Sequence, residues 1–258
     1  MTASARTEIW RPALIPTWLH VLAIVALVVG VLSALAILVD TRRDPQHMAI
    51  MNVVWPITGL YAGPLAVWAY RRWGKLAAHS RAMPAMQAGK PMPSKTETPH
   101  YASVGKGAAH CGAGCTLGDI CAEWLAFLIP AVAVWLGWHS IFSEKIFAVW
   151  ILDYVLAFGF GIVFQYFAIK PMNEDMSPGQ GIVAALKADT LSLTSWQVGM
   201  YGFMAIAHFW IFGSLLGTKL EVNSVEFWFM MQIAMLCGFL TAYPVNVWLI
   251  DKGIKEAM

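Results

Sequence analysis

Residues 16–39 have the sequence PTWLHVLAIVALVVGVLSALAILV, an apolar run without Asp, Glu, Lys or Arg. About 20 mostly apolar residues are enough for a helix to cross the hydrocarbon core of a bilayer. No small-residue cleavage pattern closes this run, so it is predicted to be a retained first span rather than a removed signal peptide. The chain is therefore predicted to be an integral membrane protein.

Five more apolar runs follow, at 48–70, 117–138, 146–169, 191–216 and 227–250. The chain is 59% hydrophobic and only 12% charged, whereas about a quarter of the residues in a soluble domain are charged. The predicted fold class is an all-α, polytopic transmembrane helix bundle with about six spans, which forms a single membrane domain over residues 1–258. Residues 71–110 contain several Pro and Lys residues and are predicted to be a cytoplasmic loop between spans two and three.

The basic residues predict an orientation. With the N-terminus inside, thirteen of the seventeen Lys and Arg residues fall in cytoplasmic segments, where such residues are in excess. Both termini are therefore predicted to be cytoplasmic, which requires an even number of spans. The net charge of +2 is too small to indicate a nucleic-acid partner. The lipid bilayer is the predicted partner, and the sequence leaves open a homo-oligomer or a larger membrane complex.

The strongest chemical signal is the segment HCGAGCTLGDICAEW at residues 110–124. If a helix begins near Cys111, then Cys111, Cys115, Asp119 and Glu123 recur every four residues and share one face. Carboxyl groups at that depth in a membrane are costly unless they are paired or hydrated. Each of these side chains is therefore a candidate functional group.

These residue types predict a soft-metal site. Two thiolates and an imidazole suit Cu(I) or Zn(II), and a carboxylate can complete such a site. The predicted metal ligands are His110, Cys111, Cys115, Asp119 and Glu123. The alternative is structural: the Gly residues of the segment allow close helix packing, the Cys residues fill space and the acids pair with basic loop residues.

Further polar side chains lie within or beside the later spans. They are Asp153, Gln165, Asp189 and Asn246. Since polar groups inside a membrane often mark ion or proton pathways, these four are predicted to line such a path. The alternative is ordinary hydrogen bonding between helices. No haem is expected, because His20 and His208 lie at opposite predicted depths.

The chain resembles a known family through the segment at 110–124 together with FQYFAIKPM, KADTLSLTSWQVGMYG and TAYPVNVWLIDKGIKE. That family consists of uncharacterised bacterial and archaeal polytopic membrane proteins with a domain of unknown function. The resemblance extends from about Tyr101 to the C-terminus, and its most specific part is the motif HC-x-x-G-C-T-L-G-D. It implies a multi-pass protein of the inner, cytoplasmic membrane of a prokaryote, and it supplies no mechanism.

The leading hypothesis from the sequence is a membrane protein that binds or moves a soft metal ion of the copper or zinc type. Three alternatives stay open. They are a thiol or persulfide oxidoreductase that uses Cys111 and Cys115, a metal-free solute transporter, and an accessory subunit of a membrane complex. Hydrolase, kinase, P-loop and dinucleotide motifs do not occur in the sequence, and whether the chain is an enzyme is left open.

Overall fold

The apolar run at residues 16–39 lies in the first long helix of the computed structural model, which describes residues 15–170 and 175–255. These residues are mostly helical and contain no β-strand. The long helices are α1 (Thr17–Arg43), α2 (Met51–Arg72), α5 (His100–Leu128), α7 (Lys145–Ile169), α8 (Pro178–Ala205) and α9 (Val225–Asp251). Short helices α3 (His79–Gln87), α4 (Pro93–Thr96) and α6 (Ala131–Trp135) lie in the connections, and α8 continues as a π-helix over Ile206–Leu215.

Among the described residues, five helices are long and apolar enough to cross a membrane: α1, α5, α7, α8 with its π-helical end, and α9. Helix α5 is the least apolar and the most buried of the five, and it packs against α2, α7, α8 and α9. The other four expose broad apolar faces, as expected of helices that face lipid. The prediction of an all-α, multi-pass membrane bundle is confirmed, with five candidate spans rather than six.

Helix α2, which covers the predicted second span, reverses direction inside the bundle. Gly63 adopts φ +53° and ψ −131°, a conformation open to Gly because it has no Cβ. Trp55, before this point, and Tyr70, after it, have ring centroids only 5.5 Å apart, so the two halves lie side by side. The half before Gly63 is roughly 18 Å long, too short for a hydrocarbon core of about 30 Å. The segment is therefore a re-entrant helical hairpin.

A residue of α9 satisfies the backbone at this reversal. Pro64 has no N–H, so it leaves the carbonyl of Leu60 without its normal helical donor. The side chain of Gln232 on α9 donates from Nε2 to that carbonyl at 2.6 Å. Non-helical backbone at membrane depth persists only where protein or a polar cavity satisfies it, and Gln232 meets that requirement here.

The hydrogen bonds at the two ends of the bundle fix the direction of each helix. His20, near the start of α1, contacts Glu226, near the start of α9, with Nδ1 and Oε1 2.6 Å apart. Lys255, just after α9, contacts the carbonyl of Gly107 near the start of α5. We call these the His20 end and the Lys255 end of the bundle.

Helices α1 and α9 therefore run parallel, so the start of α1 and the end of α9 lie at opposite ends of the bundle. The number of crossings between these two points is therefore odd, whereas the six predicted spans would make it even. The reason is the reversal within α2, which removes one crossing and makes the number of candidate spans odd. The termini themselves, residues 1–14 and 256–258, lie outside the described residues.

Helix α5 begins at His100, whereas the sequence predicted a third span from residue 117. Its close contact with α7 depends on small residues: a Cβ added at Gly114 would lie 2.9 Å from the backbone of Gly161, and one at Gly118 would lie 2.3 Å from the backbone of Ala157. Small residues spaced four apart allow helix backbones to approach in this way. The segment 71–110, predicted as a loop, contains α3, α4 and the first turns of α5.

Candidate functional site

The central helix α5 carries a row of buried, chemically active side chains. His110, Cys111, Cys115, Asp119 and Glu123 all lie on it, and none is more than 5% exposed. The row extends over fourteen residues, 110–123, which corresponds to roughly 20 Å along the helix axis. It therefore covers much of the thickness of a bilayer core. We call these five residues the α5 row.

The Lys255 end of the α5 row contains a buried ion pair. The ammonium of Lys255 donates to Oδ1 of Asp189 at 3.0 Å, and both side chains are completely buried. Lys255 also donates to the carbonyl of Gly107 at 3.4 Å. His110 interacts electrostatically with both members of the pair and packs its ring against Phe164. A cation, an acid and an imidazole thus lie together where α5, α8 and the end of α9 meet.

A local turn brings Lys255 into the interior. Gly253 has φ +67°, the left-handed conformation that commonly ends a helix. The N–H groups of Ile254 and Lys255 both donate back to the carbonyl of Leu249. The chain therefore folds over the end of α9 and directs the Lys255 side chain toward Asp189.

Of the predicted path residues, Asp189 belongs to this ion pair and Asn246 lies next to it. Asn246 donates from Nδ2 to the hydroxyl of Ser192 at 2.7 Å and to the carbonyl of Ala242, and a Cβ added at Gly107 would lie 3.8 Å from both Asn246 and Lys255. Gln165, near the end of α7, is also buried. The helix directions thus bring Asp189 and Asn246 to the same end of the α5 row.

The two thiols occupy the middle of the row. Cys111 and Cys115 are free, buried and close enough to each other to interact, and both interact with the hydroxyl of Tyr61 on α2. Tyr61 packs edge-on against Trp196 of α8, with ring centroids 5.8 Å apart. Since Tyr61 lies two residues before Gly63, the tip of the re-entrant hairpin faces the thiols.

Three carboxyl groups, two of the α5 row and one of α7, lie nearer the His20 end. Oδ1 of Asp119 accepts a hydrogen bond from Gln197 of α8 at 3.5 Å. Glu123 lies one turn further along α5 and interacts electrostatically with Asp119, and Asp153 of α7 interacts with both. Lys145, at the start of α7, donates to the carbonyl of Ala126 and also interacts with Glu123. The acids of α5 and α7 therefore form one cluster.

Many polar atoms of this interior have no hydrogen-bond partner among the described residues. They are the hydroxyl of Tyr61, Nδ1 and Nε2 of His110, Oδ2 of Asp119, Oδ1 of Asp153, Oε1 of Gln165, Oδ2 of Asp189, Nε1 of Trp196, Oε1 of Gln197 and Oδ1 of Asn246. Roughly nine in ten buried polar groups in proteins are paired, so a concentration of exceptions requires an explanation. All of these atoms belong to the α5 row or to side chains packed around it.

The predicted metal ligands do not converge. Within residues 15–170 and 175–255 there is no group of three or more His, Cys, Asp or Glu residues placed to hold a metal ion. His110 packs against α7, whereas Cys111 and Cys115 face Tyr61 of α2. A structural zinc site needs four ligands at one point, and the α5 row spreads its ligands along a line instead.

Sequence reasoning misses Lys255 and Tyr61. Lys255 follows the last apolar run, and the sequence gives it no role beyond that of one basic residue on the predicted cytoplasmic side. The position of Tyr61 near the thiols depends on the reversal at Gly63, which hydropathy does not reveal.

A family model described as Domain of unknown function (DUF4396) matches residues 100–255. The matched region runs from the first residue of α5 to Lys255, so it contains the α5 row, Asp153 and the buried ion pair, and it leaves out α1 and α2. No curated protein and no solved structure matches the chain.

Proposed function

Because the chain belongs to the family described as Domain of unknown function (DUF4396), we propose a function from its own buried groups: it conducts protons through its interior as a membrane transporter. The observation that carries this proposal is the α5 row with its unpartnered polar atoms. Ionisable residues inside a membrane bundle are rare, face the interior and commonly form proton relays.

The acid cluster supports protons as the moving ion. Asp119, Glu123 and Asp153 are buried and interact with one another. Ionising neighbouring carboxyl groups together is costly in a medium of low dielectric constant. A proton that moves among them leaves the total charge unchanged, so it can pass from group to group. His110 and the Lys255–Asp189 pair extend the series of ionisable groups toward the Lys255 end.

The re-entrant hairpin supports transport of a solute along with protons. Interrupted helices in transporters place their broken segments beside the binding site near the middle of the bilayer. Here the reversal at Gly63 lies two residues from Tyr61, which interacts electrostatically with Cys111 and Cys115 of α5. A second transported species is therefore expected to bind near this point.

We also propose an orientation in the cytoplasmic membrane of a prokaryote, with the Lys255 end in the cytoplasm. Thirteen of the seventeen Lys and Arg residues belong to this end, and an excess of such residues marks cytoplasmic segments. They are Arg42, Arg43, Arg71, Arg72, Lys75, Arg81, Lys90, Lys95, Lys106, Lys170, Lys187, Lys252 and Lys255. With five spans this orientation places the start of α1 outside and the end of α9 in the cytoplasm.

Soft-metal binding stays a prediction, and the contact between Cys111 and Cys115 is the observation that favours it or a thiol reaction. Elemental analysis of the purified wild type beside the Cys111→Ser/Cys115→Ser double variant tests metal binding. Equal metal content in the two proteins would exclude these thiols as ligands. The homo-oligomer and the accessory-subunit alternatives also stay predictions.

Proton conduction is tested in liposomes that contain the purified protein and a pH-sensitive dye. A potassium diffusion potential set by valinomycin drives protons inward, and the initial rate of acidification is measured. Wild type is expected to acidify the lumen faster than protein-free liposomes do, and Asp153→Asn is expected to lose this flux. Asp251→Asn is the control, because Asp251 is exposed at the end of α9. Equal rates for wild type and Asp153→Asn, or no flux from wild type, would refute the proposal.

A further inference from the structure

A cavity of about 280 Å³ lies between α1, α2, α5 and α9, to one side of the α5 row. Asp119 and Thr116 of α5 line one wall, and Tyr61 of the re-entrant hairpin lines another. Met231 and Met235 of α9 also line it. The cavity is thus mainly apolar and aromatic with a few convergent polar groups, which is the usual composition of a small-molecule site.

Asp119 supplies the charge of this cavity. Its side chain is fully buried, and Oδ2 has no hydrogen-bond partner among the described residues, whereas Oδ1 accepts from Gln197. Asp119 lies nine residues before Leu128, the last residue of α5, or about 14 Å along the helix. A carboxylate at such a depth requires a positive charge or a proton beside it.

The cavity is also accessible from the side. Val31 of α1, one of its lining residues, is 48% exposed on the outer surface of the bundle. Leu27 of the same helix and Leu60 of the hairpin are partly exposed beside it. Because this surface faces lipid, a molecule that partitions into the bilayer can reach the cavity without crossing the bundle.

We propose that this cavity binds a small amphipathic cation, an amine or quaternary ammonium with an apolar body. The carboxylate of Asp119 complements the positive charge, and aromatic rings such as those of Tyr61 and Trp228 attract cations at their faces. Thioether and aliphatic side chains complement the apolar body. An inorganic cation fits less well, since Na⁺ or Ca²⁺ takes several oxygen ligands and the cavity is far larger than such an ion.

The cation is the solute that would move with protons, and this role, unlike the binding itself, rests on the proposed function. Asp119 lines the cavity and is also a member of the acid cluster, so one carboxyl group belongs to both sites. The walls formed by α1 and α2 lie outside the region matched by the family model.

Benzyltrimethylammonium is the probe for this site, because it combines a quaternary nitrogen with an apolar ring. Equilibrium binding to the detergent-purified full chain is measured by calorimetry, and the neutral isostere neopentylbenzene is tested beside it. We expect saturable binding of the cation, weaker binding of the isostere, and a loss of roughly thirtyfold or more in cation affinity in Asp119→Asn. Glu226→Gln, a change at a buried acid on α9 outside the cavity, is expected to bind as wild type does.

Each other outcome contradicts the proposal. Equal affinity for the cation and its isostere, or unchanged cation affinity in Asp119→Asn, would mean that the cavity holds apolar molecules without regard to charge. If NaCl displaces the probe with a saturable dependence on its concentration, the site would be assigned to an inorganic cation. Thermal melting of each variant identifies a loss of folding. The binding assay needs no flux and the proton assay needs no cation, so either proposal can fail alone.

Discussion

Replacing Lys255 with Met is expected to destabilise the bundle far more than the same replacement at Lys75. Both lysines donate to an aspartate oxygen at 3.0 Å, Lys255 to Asp189 and Lys75 to Asp40. The two pairs differ in burial. The side chains of Lys255 and Asp189 are both 0% exposed, whereas those of Lys75 and Asp40 are 34% and 36% exposed. Lys75→Met is therefore a control of equal donor–acceptor distance in an exposed pair, in which Asp40 also accepts from Tyr70 at 2.7 Å.

The expected magnitudes follow from that difference. Removal of one partner from a buried pair leaves an uncompensated charge and costs about 3–5 kcal/mol in the free energy of unfolding. An exposed pair contributes about 0–1 kcal/mol. Lys255→Met is thus expected to lose at least about 2 kcal/mol more than Lys75→Met. In the double variant Lys255→Met/Asp189→Asn most of this loss is expected to be recovered, because no charge is then left buried.

The measurement is reversible unfolding in mixed micelles, in which an increasing fraction of denaturing detergent is added and tryptophan fluorescence is recorded. The chain contains 13 Trp residues, so the signal reports on the whole bundle. Equal destabilisation by the two single variants would refute the buried pair. A double variant no more stable than Lys255→Met would show that the lysine acts through packing rather than charge.

Three further predictions concern packing, the re-entrant hairpin and the topology. Gly118→Leu is expected to cost about 1–3 kcal/mol or more in unfolding free energy, because the leucine side chain would meet the backbone of Ala157. Gly159→Leu is the control, since no atom of the described residues lies within 4 Å of an added Cβ there. Equal losses in the two variants would refute the close contact between α5 and α7. Gln232→Leu is expected to cost about 1–3 kcal/mol, because the carbonyl of Leu60 is left without a donor; unchanged unfolding would contradict this role. Green fluorescent protein fused to the C-terminus is expected to fluoresce, and an epitope at the N-terminus is expected to be digested by protease added outside intact cells. Protection of both ends from the protease would instead indicate an even number of spans.

The apolar runs predicted the helical bundle correctly because a bilayer imposes a simple local rule. A segment of about 20 apolar residues can satisfy its backbone in hydrocarbon only as a helix. Four of the six runs lie largely in separate helices that are candidate spans, namely α1, α7, α8 and α9. The spacing of Cys111, Cys115, Asp119 and Glu123 likewise predicted that they share a helix, since side-chain direction within one helix is set by sequence position.

The second run shows where that rule is insufficient. Residues 48–70 are apolar enough to suggest a span, yet the helix reverses at Gly63. Whether a Gly-Pro step bends or reverses a helix depends on the groups available to satisfy the freed carbonyl of Leu60. Gln232, the residue that does so, is far away in the chain.

The sequence by itself determined that this protein is a helical membrane bundle and that the five residues of the α5 row lie along one helix. Only the tertiary structure decided how many helices are candidate spans, which ends of the bundle each helix connects, and that Lys255 closes one end by pairing with Asp189. The physical reason is the range of the interactions. Hydropathy and helical spacing act within a segment, whereas the pairing of a buried charge depends on which distant segment lies beside it.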